Sequence, residues 1–397
     1  MISEKNYGLG SARSAIRELF EYGKKQAALI GAENVYDFSL GNPSVPSPKA
    51  VTDAFAEIIS ECDPVSIHGY TSAQGSVEVR TAIANSIKRR FGFDASPDSL
   101  YMTCGAAAAL CCSFRALADD NGESEIVAIA PYFPEYKVFA EGAGAKFCVV
   151  DADTSAFQIR FDILEKTINE NTVGVIINSP NNPSGVIYSR ETIERLAALL
   201  KQKSAEYGHP VYIISDEPYR ELVYTEAEVP YVPNIYKNTI VCYSYSKSLS
   251  LPGERLGYVF VPHTADFADK VYAAVAGAGR AYGYVCAPSL LQKVIAKCVD
   301  VMPDLTVYRE NRNLLLENLT RMGYECAAPD GAFYLFVKAL EPDAYKFYER
   351  AKAHELLVVP CDDFGVSGYV RIAYCTDRKT VVGALPAFKK LAEEYQK

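Results

Sequence analysis

Between residues 125 and 262, short apolar runs alternate with stretches of helical periodicity. The runs cover 126–130, 146–150, 173–177, 211–214, 239–243 and 256–261. Several are unbroken Val/Ile runs rather than alternating ones, the pattern of strands covered on both faces. With helices between them, they predict an α/β fold, a doubly wound and mostly parallel sheet. Upstream, apolar spacing predicts a helix over 14–30 with Ile16, Leu19, Phe20 and Ala27 on related faces. A strand over 35–40 follows and is broken by the Pro-rich stretch 41–48. Helices are expected over 51–61 and again up to Arg90, separated by an irregular turn at 68–75. Residues 1–12 are polar and patternless, and are expected to form a mobile arm or one ordered by a neighbour.

From Val285 the pattern changes. One long helical stretch is expected over 289–322, then strands at 333–337, 356–359 and 369–373, and a final helix over 377–396. This reads as a second, smaller α+β domain. The strand at 36–40 has no partner nearby in sequence, so the N-terminal segment is expected to join that domain. The expected division is 1–48 for the arm and part of the small domain, 49–284 for the large domain and 285–397 for the small one.

In doubly wound sheets ligands bind beyond the carboxyl ends of the strands, and those ends carry chemistry here. Phe133 follows the run 126–130, and Asn178 and Asn182 follow 173–177. Asp216 and Tyr219 follow 211–214; Ser244, Ser246 and Lys247 follow 239–243, with Arg255 eight positions after the lysine. A lysine at a strand end is partly desolvated and loses its proton more readily, as an amine nucleophile must. Hydroxyls and an arginine beside it suit a phosphate. So does the turn Gly105-Ala106-Ala107, where a glycine precedes a helix start with free backbone N–H groups.

Each residue has an ordinary explanation when taken alone. Asp216 fits a helix N-cap ahead of Pro218, and Asn182 a turn beside Pro183. Tyr219 and Phe133 fit a core, Arg255 a surface ion pair and Arg371 an edge-strand charge. Four strand ends delivering such groups to one edge point instead to a single site. They match a cofactor with an aldehyde, a phenolic oxygen, a ring nitrogen and a phosphate. Lys247 would take the aldehyde, Asp216 the ring nitrogen, and Tyr219 and Asn182 the phenolic oxygen. Phe133 would stack on the ring. Ser244, Ser246, Arg255 and the Gly105-Ala106-Ala107 helix start would hold the phosphate, and Arg371 a substrate carboxylate.

Net charge narrows the picture further. At −9 the chain is a poor partner for nucleic acid. No apolar run reaches the length of a membrane span, and the start Met-Ile-Ser-Glu-Lys has no signal-peptide pattern. The 11 cysteines include no Cys-x-x-Cys spacing, which predicts reduced thiols and a cytoplasmic location. Four scattered histidines (His68, His209, His263 and His354) argue against a His-based metal site or a Ser-His-Asp triad.

The motifs Asn178-x-Pro180-x-Asn182-Pro183-x-Gly185, Asp216-Glu217-x-Tyr219, Ser244-x-Ser246-Lys247 with Gly253-x-Arg255-x-Gly257, and Tyr369-Val370-Arg371 run in this order along nearly the whole chain. In this the chain resembles fold-type-I pyridoxal-phosphate aminotransferases, the group that contains the aspartate aminotransferases. The resemblance implies pyridoxal 5'-phosphate as cofactor and ping-pong transfer of an amino group from an L-amino acid to a 2-oxo acid. It also implies a homodimer with shared active sites. Tyr70 matches a tyrosine reaching the partner's cofactor phosphate, and Gly41 a glycine lining the substrate carboxylate pocket. Arg280 is similar to an arginine that, across the dimer interface of dicarboxylate-specific members, pairs with the substrate side chain; a plain surface arginine is the competing explanation. Two departures stand out. Ala106 and Ala107 occupy a phosphate turn where many members carry Ser, Thr or Gln, and Phe133 stands where many carry tryptophan. Carbon–sulfur β-lyases, decarboxylases and cyclopropane-carboxylate synthases share these motifs, and a β-lyase or other carbanion-fate variant forms the alternative within the same fold. A non-enzymatic sensor domain would be expected to carry a basic DNA-binding extension, which this acidic chain does not display.

Overall fold

The computed structural model describes residues 2–11 and 15–396. Its first strand, β1 (Tyr36–Asp37), lies apart from the main sheet. Seven strands then build that sheet: β2 (Leu100–Thr103), β3 (Glu125–Ile129), β4 (Lys146–Val150), β5 (Thr172–Asn178), β6 (Tyr212–Asp216), β7 (Thr239–Ser244) and β8 (Gly257–Phe260). Their spatial order is β2-β8-β7-β6-β5-β3-β4, and only β8 pairs antiparallel with its neighbours. The unbroken apolar runs have a direct cause. In β3, Ile126 and Ala128 enter one core with the helices Ala106–Leu117 and Ala268–Ala281, while Val127 and Ile129 enter another with the helix Arg190–Tyr207. Both faces of the strand are covered, so alternation disappears.

The smaller body contains β9 (Cys326–Ala327), β10 (Tyr334–Lys338), β11 (Leu356–Leu357), β12 (Val359–Pro360) and β13 (Tyr369–Ala373). Four of these form an antiparallel sheet in the order β12-β13-β10-β9. The fifth, β11, pairs in parallel with β1. The N-terminal segment therefore joins the C-terminal part of the chain, as its missing local partner predicts.

Several boundaries differ from the sequence expectation. The patternless arm holds a helix, Glu4–Ser11, whose residues are exposed. The expected strand at 35–40 shrinks to the two residues of β1. The expected strand at 356–359 splits at Val358, and its two halves serve different sheets. A short helix, Pro64–His68, interrupts the region before the 68–75 turn; the Asp63 side chain caps it by accepting from the Ser66 N–H at 2.8 Å. The expected single helix over 289–322 is two, Ser289–Cys298 and Thr306–Arg321. Pro303 lies between them and cannot donate the N–H that a continuous helix needs there. The first of the pair packs on the large-sheet side against Lys49–Glu61 and Val77–Phe91, through Leu291, Val294 and Ile295. The second packs into the core of the small body through Tyr308, Leu315 and Leu319.

Candidate active site

A cleft of about 370 Å³ opens where β5, β6 and β7 end and the small body meets them. It brings together Gly41, Ala106, Ala107, Phe133, Asn182, Asp216, Tyr219, Ser246, Lys247, Arg255 and Arg371, all from the sequence-derived set.

Lys247 sits in a single helical turn, Tyr245–Ser248, directly after β7, rather than on an open loop. The hydroxyl of Ser244 caps that turn by accepting from the Ser246 N–H at 3.3 Å. Ser244 is thus buried and engaged locally, and it does not line the cleft. The amine of Lys247 donates to the Gly41 carbonyl at 2.6 Å. Burial pushes this amine down to about 8; Arg371 and Arg255 push the same way, and the Cys375 thiol opposes them.

Asp216 ends β6, fully enclosed. Its Oδ2 accepts from the Tyr136 hydroxyl at 2.5 Å. Its backbone carbonyl accepts from Asn178 Nδ2 at 2.9 Å. Oδ1 is buried and has no hydrogen-bond partner among the described residues. Burial lifts the carboxyl to about 7; the Tyr136 hydrogen bond acts against this, and the neighbouring Glu217 adds to it. A buried, partnerless carboxylate oxygen is costly unless something arrives to pair with it.

The Tyr219 and Tyr334 hydroxyls lie 2.9 Å apart. Asn182 receives its place from Asn178, whose Oδ1 accepts the Asn182 N–H at 2.7 Å. The Asn182 side-chain oxygen in turn accepts from Arg371 Nη1 at 3.0 Å. Arg371, in β13, is buried, donates through Nη2 to the Ser39 carbonyl at 2.7 Å, and keeps Nε without a partner among the described residues. Its guanidinium carbon sits 4.5 Å above the Tyr334 ring. Gly41 is there because of space: a Cβ on it would lie 2.0 Å from the Tyr334 hydroxyl.

At the other end of the cleft, Gly105 precedes the helix Ala106–Leu117 with φ +87° and no side-chain cap, so the first N–H groups stay free for an anion. Arg255 lies against that turn, and a Cβ on Gly105 would come within 2.9 Å of its Nη2. Phe133 is half-buried on the cleft wall, edge-on to Tyr136 with ring centres 5.7 Å apart. Tyr70 and Arg280 are not brought to this cleft; both are exposed, Tyr70 at 90%.

Sequence reasoning gave no role to Tyr136, Tyr334, Leu40, Arg17 or Glu135, the last four of which also line the cleft. Ile16 does too, although its spacing marked it only as helix core. The residues fit a pyridoxal phosphate. The partnerless Asp216 Oδ1 suits a protonated ring nitrogen, the depressed Lys247 amine an aldehyde, and the Arg255, Ser246 and helix-start donors a phosphate.

Comparison with known proteins agrees with the geometry. The family model for aminotransferase class I and II matches residues 33–387. An aspartate aminotransferase of Thermotoga maritima is 32% identical over 377 residues, covering 93% of this chain and 95% of that protein. A probable N-acetyl-LL-diaminopimelate aminotransferase of Bacillus subtilis is 28% identical over 361 residues, 88% of this chain and 87% of that one. The crystal structure of an amino transferase from Eubacterium rectale superposes with a TM-score of 0.98 at 58% identity, over 100% of both chains.

Proposed function

The chain belongs to the class I and II aminotransferase family, and we propose from that membership a role for each group in the cleft. As a member it is a pyridoxal 5'-phosphate-dependent aminotransferase, acting on amino acids and 2-oxo acids. When bound, the cofactor supplies an aldehyde to carry the amino group and a ring to accept the electron pair left at the substrate α-carbon. Lys247 would hold the cofactor between turnovers. With a substrate amine in its place, its free Nζ would accept the α-proton and give it up again to the former aldehyde carbon. Asp216 would pair with the ring nitrogen through Oδ1 and keep it protonated. Tyr219 and Asn182 would donate to the phenolic oxygen. Arg255, Ser246 and the N–H groups at Ala106 and Ala107 would hold the phosphate, and Phe133 would lie against the ring. Arg371 clamps the substrate carboxylate, with Gly41 leaving room beside it. Closing the small body over the cleft would exclude water.

The observation that carries this reading is the enclosed, partnerless Oδ1 of Asp216 in the same cleft as the depressed Lys247 amine. The carbon–sulfur lyase alternative is not favoured, because the matched relatives are named aminotransferases. For the donor, aspartate is the first choice, supported by the Thermotoga maritima relative's name. Arg280 would recognise its side-chain carboxylate from a second copy of the chain. The exposed Val65, Tyr70, Val77 and Val285 favour such a homodimer. The segment carrying three of them is tied to the chain after Arg280 by Gln292 Nε2 to Thr71 at 3.1 Å and Ser289 Oγ to the Ile67 carbonyl at 2.8 Å. A cytoplasmic location is part of the proposal; among the described residues no helix is long and apolar enough to cross a membrane. The packing also favours a large–small division within 302–305 rather than at 285, and the proposal keeps 1–48 as the arm and part of the small domain.

The deciding experiment is reconstitution with pyridoxal phosphate followed by a donor panel with 2-oxoglutarate as acceptor. Visible absorbance that Lys247→Ala abolishes, together with aspartate turnover, is the expected result. Turnover retained in Lys247→Ala refutes the assignment of the lysine; ammonia and pyruvate released from cysteine without an acceptor would move the reading to a lyase.

A further inference from the structure

Asp216 meets the cleft with one oxygen spoken for and one open, and the residue that makes this division is Tyr136. It is the second residue of the helix Glu135–Gly142, three positions after Phe133, and its side chain is among the largest fully buried ones of the described residues. Its hydroxyl donates to Oδ2 of Asp216 at 2.5 Å, and its ring stands edge-on to Phe133. A phenol has one hydrogen to give. By giving it to Oδ2, Tyr136 fixes the rotation of the carboxyl group and leaves Oδ1 as its one oxygen without a hydrogen-bond partner among the described residues.

We propose that Tyr136 is a positioning residue for amino-group transfer, fixing the Asp216 carboxyl in the rotation that keeps Oδ1 for the cofactor ring nitrogen. This rests on the aminotransferase reading above. The surroundings make such a device necessary. Burial alone drives a carboxyl toward its neutral form, and Glu217, the next residue after the strand, adds negative charge beside it. Glu217 is itself paired with Arg220 at 2.5 Å. The other titratable groups facing Asp216 are Tyr219 and Cys242, both raised by their own burial and neutral near pH 7. No cation faces the carboxylate among these groups. The Tyr136 hydroxyl is the group that favours its charge; burial first, then the Asp216 charge and this bond, raise the phenol well above its ordinary range, so it stays a donor.

The test is Tyr136→Phe, purified and reconstituted with pyridoxal phosphate carrying a 15N ring nitrogen. The expected result has three parts. The acid limb of the kcat/KM profile moves to higher pH by about one unit or more. The value of kcat falls by roughly ten- to a hundred-fold, the worth of a buried charge-assisted hydrogen bond, while KM for the amino donor changes less. The 15N resonance moves toward the unprotonated position, a readout that needs no turnover. An unmoved acid limb and an unmoved resonance overturn the proposal. If Tyr136→Phe does not fold, 3-fluorotyrosine placed at position 136 keeps the shape and makes the donor more acidic. The acid limb should then move to lower pH, and no movement overturns the proposal equally. Wild-type protein that shows no visible absorbance from cofactor on Lys247 would overturn both this inference and the reading beneath it. Normal wild-type absorbance with an unaltered Tyr136→Phe overturns this inference alone.

Discussion

The Lys247 amine donates to the Gly41 carbonyl at 2.6 Å across 206 positions of sequence. This bond joins the last turn of the large sheet's central edge to the segment that leads out of β1. Gly41 can offer its carbonyl there because it has no side chain: a Cβ would press the Tyr334 hydroxyl, which is itself 2.9 Å from the Tyr219 hydroxyl. One backbone position thus holds the amine and leaves the tyrosine pair undisturbed. The carbonyl accepts from either protonation state, so it does not by itself oppose loss of the ammonium proton. Burial and two nearby arginines do the rest.

That depression has a kinetic signature. Cofactor capture needs the neutral amine, whose fraction grows about tenfold per pH unit below the group's pKa and then levels off. Mixing cofactor-free protein with pyridoxal phosphate and following visible absorbance should give a rate that rises above pH 7 and flattens at about 8. An ordinary lysine would keep accelerating toward roughly pH 10.5. A plateau at that higher pH would show that the cleft does not desolvate Lys247.

Asp216 should leave a mark on stability. Its carboxyl is raised to about 7 in the folded, cofactor-free protein, against about 3.9 when unfolded. Between those values the folded state binds more protons than the unfolded one, so stability falls as pH rises through the window. The slope from this group approaches about 1.4 kcal/mol per pH unit at its steepest. Asp216→Asn removes the titration. Urea midpoints of the cofactor-free wild type should drop between pH 4.5 and 7 relative to the variant, with the two curves parallel above pH 8. Parallel curves throughout would mean that Asp216 is already ionised in the empty cleft.

Much of this cleft was legible because strand ends are legible. Runs such as 173–177 mark strands buried on both faces, and the polar residues that follow each run mark its end; Asn178 closes β5 this way, and Ser215-Asp216 close β6. What stayed hidden depends on partners far away in sequence. Tyr136 reaches Asp216 over 80 positions and Tyr334 reaches Tyr219 over 115, and neither tyrosine sits in a pattern that sets it apart from the 28 in the chain. Ser244 reads as a phosphate ligand in the sequence; one turn of helix after β7 also gives its hydroxyl a backbone N–H to cap, a bond that leaves its own hydrogen to donate. The split at Val358 was invisible because both halves are equally apolar, and only β1 and β13 decide which sheet each joins.

Arg371→Lys tests the carboxylate clamp. The guanidinium already spends Nη1 on Asn182 and Nη2 on the Ser39 carbonyl, and its Nε is unspent. Lysine keeps the charge but not the planar fork. KM should rise for every amino donor by about tenfold or more, the worth of one charge-assisted hydrogen bond, since all donors share the α-carboxylate. Stability should fall by about 1–3 kcal/mol, because Asn182 and Ser39 lose partners in a buried place. Steady-state kinetics over several donors and urea denaturation read the two effects. A KM change confined to aspartate would assign Arg371 to the side chain instead.

Arg280 and Tyr70 lie outside the cleft of their own chain, exposed on its surface, so their proposed roles stand or fall with a second copy. Complementation separates the cases. Lys247→Ala lacks the amine in its own cleft; Arg280→Ala, if the arginine acts across the interface, spoils the partner's cleft. Alone, each variant should turn over aspartate poorly. Refolded together in equal amounts, half of the dimers would be hybrids, and each hybrid would have one site carrying both defects and one carrying neither. Aspartate turnover should therefore recover to about a quarter of the wild-type value. Tyr70→Phe mixed with Lys247→Ala should behave the same way, read as cofactor affinity rather than donor preference. No recovery on mixing would place Arg280 in its own chain's chemistry or outside it. Full aspartate turnover by Arg280→Ala alone would remove the dicarboxylate assignment, leaving the donor to be set by residues already in the cleft.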